Sequence, residues 1–239
     1  MAGLMRRALW WLLFLILVGA AYFYGTDYIR RHPQDVPWTA LDLRHPAGRF
    51  TLRKLVSLGD QPAQCRALLA RAAIADVPAP PKRDGDCGYA DGMRLARDTD
   101  FSPSGLVTAC PVAAALALLE RDALQPAAAR HFASRVAVIE HAGSYSCRRL
   151  YGRADGQFSE HASADAVDII GFRLADGTHI SVLRDWRSSG PKAAFLRDVR
   201  DGACGLFATV LSPDYNVAHA DHLHFDQAAR GKMGWSLCR

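Results

Sequence analysis

A chain of 239 residues, half of them hydrophobic and 22% charged, has room for one sizeable domain or two small ones and the composition of a packed protein, which excludes an intrinsically disordered segment. Its formal net charge of +5 comes from lysines and arginines dispersed along the whole length. Without a dense basic block there is no electrostatic footprint for nucleic acid, and none is expected among its partners.

The first element is the apolar run ALWWLLFLILVGAAYFYG at residues 8–25, uncharged and about long enough to cross a bilayer as a helix. A secretory signal peptide is the competing reading, but its apolar region is shorter and ends in an A-x-A-like site, of which VGAAYFYG is only a weak version. Residues 1–25 are therefore read as an uncleaved transmembrane anchor. Arg6 and Arg7 favour a cytoplasmic N-terminus, a bias that Arg30 and Arg31 weaken. The aromatics Trp10, Trp11, Tyr22 and Tyr24 suit the two interfaces.

Residues 26–50 carry prolines and no clear period, which predicts an extended juxtamembrane linker, with the folded domain over 51–239. Within that domain QPAQCRALLARAAI has helical spacing, and PAPPKRDGDCG breaks it. CPVAAALALLERDAL and PAAARHFAS predict helices, the first apolar enough to lie in the core. RVAVIEHAGSYSCR reads as a strand running into a loop. AVDIIGFRLADGTHISVLRDW reads as two strands around a turn at Asp176 and Gly177. PKAAFLRDVRDGACGLFATVL predicts a helix interrupted at Gly202 or Gly205, and HADHLHFDQA alternates strictly, as a strand does. Strands in runs with helices set apart give an α+β fold with a mainly antiparallel sheet packed by helices.

Six cysteines, an even number without a C-x-x-C pair, point to three disulfides in an oxidising compartment. Pairing between sequence neighbours is expected: Cys65 with Cys87, Cys110 with Cys147, and Cys204 with Cys238.

Two features carry chemistry. On an alternating strand His222, His224 and Asp226 share one face, with His219 three residues upstream. Asp168 lies inside the apolar run AVDIIGF, where an ionised carboxylate is costly to bury unless something positive accompanies it. A zinc ion, which takes imidazole nitrogen and carboxylate oxygen, would account for both. Alone, an H-x-H is commonly an exposed strand face and a buried Asp a hydrogen-bonded structural residue; together they suggest a metal centre.

SEHASADAVD resembles the S-x-H-x-x-G-x-A-x-D motif of the zinc peptidases that group D-Ala-D-Ala peptidases, lysostaphin-type enzymes and the hedgehog domain. Ser159, His161, Ala166 and Asp168 match it, and Ala164 replaces the Gly. HADHLH is similar to the H-x-x-H-x-H of murein endopeptidases in that group. More broadly, residues from about 36 to 239 resemble the bacterial extensin-like C-terminal domain family, through PWTALDL, CGYADGMRL, ACPVAAALA, GSYSCR, LRDW and YNVAHADHLHFD in order. The resemblance implies zinc (Zn2+) held by His161, Asp168 and His224, with His222 as the catalytic histidine and His219 as a further one. No Glu precedes the last ligand as in the D-Ala-D-Ala branch, which leaves the general base open. Arg148 is a candidate for holding a carboxylate of a peptide stem, since a guanidinium grips carboxylates in a two-pronged geometry. Asp226 either orients a ligand histidine or caps the strand end; Tyr145 packs or lines the cleft; Asp165 reads as a solvated turn residue. His131, His141 and His179 lie outside the pattern. The implied protein is a zinc metallopeptidase cutting peptidoglycan peptides, anchored as a single pass in the inner membrane with its C-terminal domain in the periplasm. The alternative is a zinc-containing wall-binding or scaffold domain without turnover.

Overall fold

The computed structural model describes residues 2–229 and 236–239. Helix α1 (Ala2–Arg31) carries the apolar run and continues past it, with its side chains largely exposed and enough length and hydropathy to cross a membrane. A 3-10 turn at Pro33–Asp35 follows, then α2 (Thr51–Val56) and α3 (Pro62–Arg71). The stretch expected to be an extended linker is instead part of the domain. Leu41 and Leu43 are buried in the main core, Arg121 donates to the carbonyls of Leu43 and His45, and the Ala47 N–H donates to Asp122 at 3.1 Å. Two leucines in a proline-containing stretch set no period, so only the surface that receives them reveals that they are core.

Six short strands come next: β1 (Val77–Pro78), β2 (Lys82–Asp84), β3 (Cys87–Tyr89), β4 (Met93–Arg94), β5 (Asp100–Ser102) and β6 (Val107–Thr108). The order β1-β4-β6 makes a small antiparallel sheet, and β2 with β3 a hairpin. Helix α4 (Cys110–Leu119) runs through a π-helical turn at Glu120–Leu124 directly into α5 (Gln125–Phe132). The two predicted helices are thus one continuous helical stretch, and nine of the ten α4 residues are buried.

The main sheet adds β7 (Val136–Gly143), β8 (Ala166–Leu174), β9 (His179–Ser181), β10 (Thr209–Leu211), β11 (Leu223–Asp226) and β12 (Leu237–Cys238). Its order is β12-β10-β11-β8-β7-β5, with β9 also paired to β8. The β5–β7 and β10–β12 pairs are parallel and the others antiparallel, so the fold is α+β with a mixed, mainly antiparallel sheet. Helices α6 (Val182–Asp185) and α7 (Pro191–Ala203) lie between β9 and β10. The second strand of the predicted hairpin ends early because the Asp185 carboxylate accepts the Ser181 N–H at 2.8 Å and starts α6. Gly202 does not interrupt α7; the helix ends at Ala203, and FATVL, expected as helix, supplies β10.

On β8 and β11 the side chains alternate. Val167, Ile169, Leu223 and Phe225 enter the core, and Phe225 stacks on Phe207 with centroids 5.0 Å apart. The opposite face carries Asp168 and His224, which the β8–β11 register sets directly across from each other. The disulfides join Cys65 to Cys110, Cys87 to Cys147 and Cys204 to Cys238. The third agrees with neighbour pairing; the first two correct it. Helix α3 packs on α4, and the β2–β3 hairpin meets the loop after β7 where the Tyr145 hydroxyl donates to Asp84, so tertiary contacts rather than chain distance choose the partners.

Candidate metal centre and cleft

The site is assembled from one turn and two strands. Ser159 opens a 3-10 turn over Glu160–Ser163, its Oγ accepting the His161 N–H at 3.4 Å. The turn closes at Ala164, whose φ of +57° lies in the left-handed region. A Cβ is disfavoured in that conformation, which glycine adopts freely. β8 then begins and presents Asp168, opposite His224 on β11.

His161, Asp168 and His224, all buried, offer one ligand atom each within 4.8 Å of one another. His161 Nε2 lies 3.2 Å from Asp168 Oδ2 and 3.2 Å from His224 Nδ1, and His224 Nδ1 lies 2.9 Å from Asp168 Oδ1. Each imidazole uses its other nitrogen on the protein. His161 Nδ1–H donates to the Ser144 carbonyl at 2.6 Å, and His224 Nε2–H donates to Asp226 Oδ2 at 3.0 Å. Those outer bonds fix the ring orientations and leave His161 Nε2 and His224 Nδ1 facing the same point. Two inward nitrogens beside a carboxylate need a shared positive charge, either a proton or a cation. With a proton there, burial acts to lower the His224 pKa but the hydrogen bonds of Asp168 and Asp226 outweigh it and push it to about 9. For Asp168 burial works to raise the pKa, and the hydrogen bonds from His161 and His224 override it and hold the carboxyl well below the usual range. Two imidazoles and a carboxylate, oriented from behind and converging to within 4.8 Å, are a donor set that fits zinc.

The centre opens into a cleft of about 670 Å³ lined also by Arg148, Arg149, Tyr151, Glu160, Tyr215, His219 and His222. His222 sits just before β11 with Nε2 3.6 Å from Asp168 Oδ1, while its Nδ1 meets Asp221 Oδ1 at 2.8 Å. His219, in the 3-10 turn at Val217–His219, places its ring centroid 5.1 Å from that of His222 and 5.9 Å from that of His224. Its Nδ1 meets Asn216 Oδ1 at 2.8 Å. Burial first, then the neighbouring His222 and His224, lower its pKa to about 4, so it stays neutral at physiological pH.

Arg148 stands on the cleft wall, half-exposed, with Nη2 3.9 Å from Asp168 Oδ2. Arg149 is engaged elsewhere: its guanidinium lies 4.1 Å from the centre of the Phe158 ring and donates to the Gly156 carbonyl. Tyr145 packs away from the centre, with its hydroxyl donating to Asp84 at 3.0 Å and the Lys82 ammonium 4.2 Å from its ring. Asp226 does both things weighed for it, orienting His224 with Oδ2 and accepting the Ala228 N–H with Oδ1 at 3.0 Å. Asp165 is not a solvated turn residue. Its Oδ1 is buried without a hydrogen-bond partner among the described residues, and burial together with the carboxylates of Glu160, Asp226 and Asp91 raises its pKa well above the usual value. His131 pairs with Asp198 at 2.8 Å, His179 with Glu140 at 2.7 Å, and His141 is buried against the Pro103 carbonyl at 2.8 Å, all away from the centre. The outer partners Ser144, Asn216 and Asp221, and the cleft residues Tyr215 and Glu160, were not singled out from sequence. Asp221 and Glu160 each adjoin a motif histidine, which is the one signal that could have found them.

Compared with known families, residues 63–239 match the one described as Extensin-like protein C-terminus, and the chain belongs to that family. The comparisons with curated proteins and with solved structures found no significant match.

Proposed function

Starting from a member of the extensin-like C-terminal family that carries this triad, we infer that the protein is a membrane-anchored zinc metallopeptidase acting on peptidoglycan peptides in the periplasm, with the anchor in the inner membrane. The observation that carries the reading is the convergence of His161, Asp168 and His224, oriented from behind by Ser144 and Asp226, at the wall of an open cleft with two more imidazoles beside it. Zinc, when bound, supplies a Lewis acid that polarises a carbonyl and lowers the pKa of water.

The residues of the chain do the rest. His161, Asp168 and His224 are the ligands. Asp221 holds the His222 ring through Nδ1, so Nε2 faces the centre and is the atom at which a proton is taken up and returned. His219, neutral and with its Nδ1–H donated to Asn216 Oδ1, presents an unprotonated Nε2 to the same space, where it accepts a hydrogen bond from water or a substrate N–H and so helps to orient it. Arg148, half-exposed on the wall, binds a stem carboxylate and sets the register of the peptide.

Zinc analysis of the purified protein tests the centre: His161→Ala is expected to lose the metal, and equal zinc in variant and parent would remove this site. Incubation with purified peptidoglycan, followed by chromatography of the fragments, tests turnover. His222→Ala is expected to keep zinc and lose cleavage. Intact peptidoglycan with the zinc-loaded parent would instead leave a wall-binding or scaffold role.

A further inference from the structure

We propose that the turn at residues 36–39 and the start of α2 form a second membrane contact, in which Trp38 lies in the interfacial layer and Arg49 and Arg53 meet anionic phospholipid headgroups. The proposal rests on the reading that α1 spans the bilayer, and it adds what holds the domain against the surface that α1 crosses.

The junction has no slack. The apolar run ends at Gly25 and α1 ends at Arg31, a rise of about 9 Å at 1.5 Å per residue. That is close to the depth of one headgroup layer, roughly 5–8 Å. The domain therefore begins where the helix leaves the lipid. The helix is also tied to it: the Tyr28 hydroxyl donates to Asp35 Oδ2 at 2.8 Å, and Asp35 Oδ1 accepts the Arg49 N–H at 2.9 Å. Helix end, turn and α2 are thus linked by hydrogen bonds.

The turn itself is braced from inside. Lys54 Nζ donates to the Pro33 carbonyl at 3.1 Å, to Gln34 Oε1 at 3.1 Å and to Thr39 Oγ1 at 2.9 Å, and Thr39 in turn bonds back to Pro33 and Val36. Despite this bracing Trp38 is 76% exposed, held outward next to the helix end. An indole kept in that position matches the interface, where its ring meets apolar matter and its N–H meets water.

Charge completes the match. Arg49 and Arg53 are exposed and form no ion pair among the described residues. Of the nearby acids, Asp27 is paired with Arg31 and Asp42 with Arg44, while Asp35, bonded by neutral donors, keeps one negative charge against the three positive charges of Arg49, Arg53 and Lys54. The face next to the lipid is therefore cationic, which attracts anionic headgroups.

The test uses the full chain, labelled with fluorotryptophan, in nanodiscs of phosphatidylethanolamine and phosphatidylglycerol, with the Trp38 resonance assigned by its loss in Trp38→Phe. A gadolinium chelate carried on a lipid headgroup is expected to broaden the Trp38 line strongly, and a water-soluble chelate to affect it little. Broadening by the soluble chelate alone overturns the proposal. Trp10 and Trp11 separate the two claims. If the lipid-borne chelate broadens them and not Trp38, the second contact fails while the anchor stands; if it reaches none of the three, the anchor fails too. Replacing Arg49 and Arg53 by Gln is expected to reduce the Trp38 broadening, and an unchanged line would remove the arginines from the surface. The buried Trp186 line reports that each variant is folded.

Discussion

Asp168 shows how a single side chain can be both a problem and a signal. Ionised inside an apolar strand it would be costly, and the fold resolves this by setting His224 across the β8–β11 ladder and His161 at the preceding turn. Asp165, three positions earlier, has no such resolution: burial and the carboxylates of Glu160, Asp226 and Asp91 disfavour its charge. A carboxyl whose folded pKa is raised contributes stability that is complete below its unfolded pKa of about 4 and is lost as pH rises through the folded value. Asp165→Asn is therefore expected to raise the melting temperature at neutral pH, with the gain fading as pH falls from the raised folded pKa toward about 4 and absent below it. Thermal melts of both proteins across that range check it. The candidate ligands and His222 were legible because they lie in motifs, whereas Asn216 and Ser144 act through bonds that only the folded chain forms.

At the scale of elements, close packing decides what pattern alone leaves open. Gly202 reads as a helix breaker, yet it stays in α7 because the π-helical turn crosses there; a Cβ on it would stand 2.3 Å from the Ala123 Cβ. Propensity favours Gly202→Ala by about 1 kcal/mol, but overpacking costs roughly 1–3 kcal/mol. Steric conflict is expected to win, giving a net loss on the order of 1 kcal/mol by denaturant unfolding. In an Ala123→Gly background the same change should become neutral or stabilising, since the conflicting methyl is gone. The helices α3, α4 and α5 and the strands β7, β8 and β11 follow periodicity strong enough to be read directly. β10, only three residues long, was hidden behind the end of α7, and the early end of β9 was set by a single carboxylate.

For the whole molecule the relation of the N-terminal apolar helix to the domain matters most. Residues 32–50 are docked through Leu41, Leu43, Gln34 and the bonds of Arg121, so the helix and the cleft-bearing domain are joined without a free tether. The full chain is expected to remain in the membrane pellet after an alkaline wash. Added protease should reach the domain only from the periplasmic side. Release of the protein by the wash would identify the apolar run as a signal sequence or a buried helix instead.

The order of amino acids was sufficient for the long apolar N-terminal helix, the α+β class, the principal helices and strands, and the histidine and aspartate motifs, because each depends on spacing within one short segment. Disulfide partners, the docking of residues 32–50, the outer bonds that aim His161 and His224, and the environment of Asp165 were decided by tertiary structure. All of these are contacts between segments distant in the chain, and which surfaces meet is fixed only when the core closes.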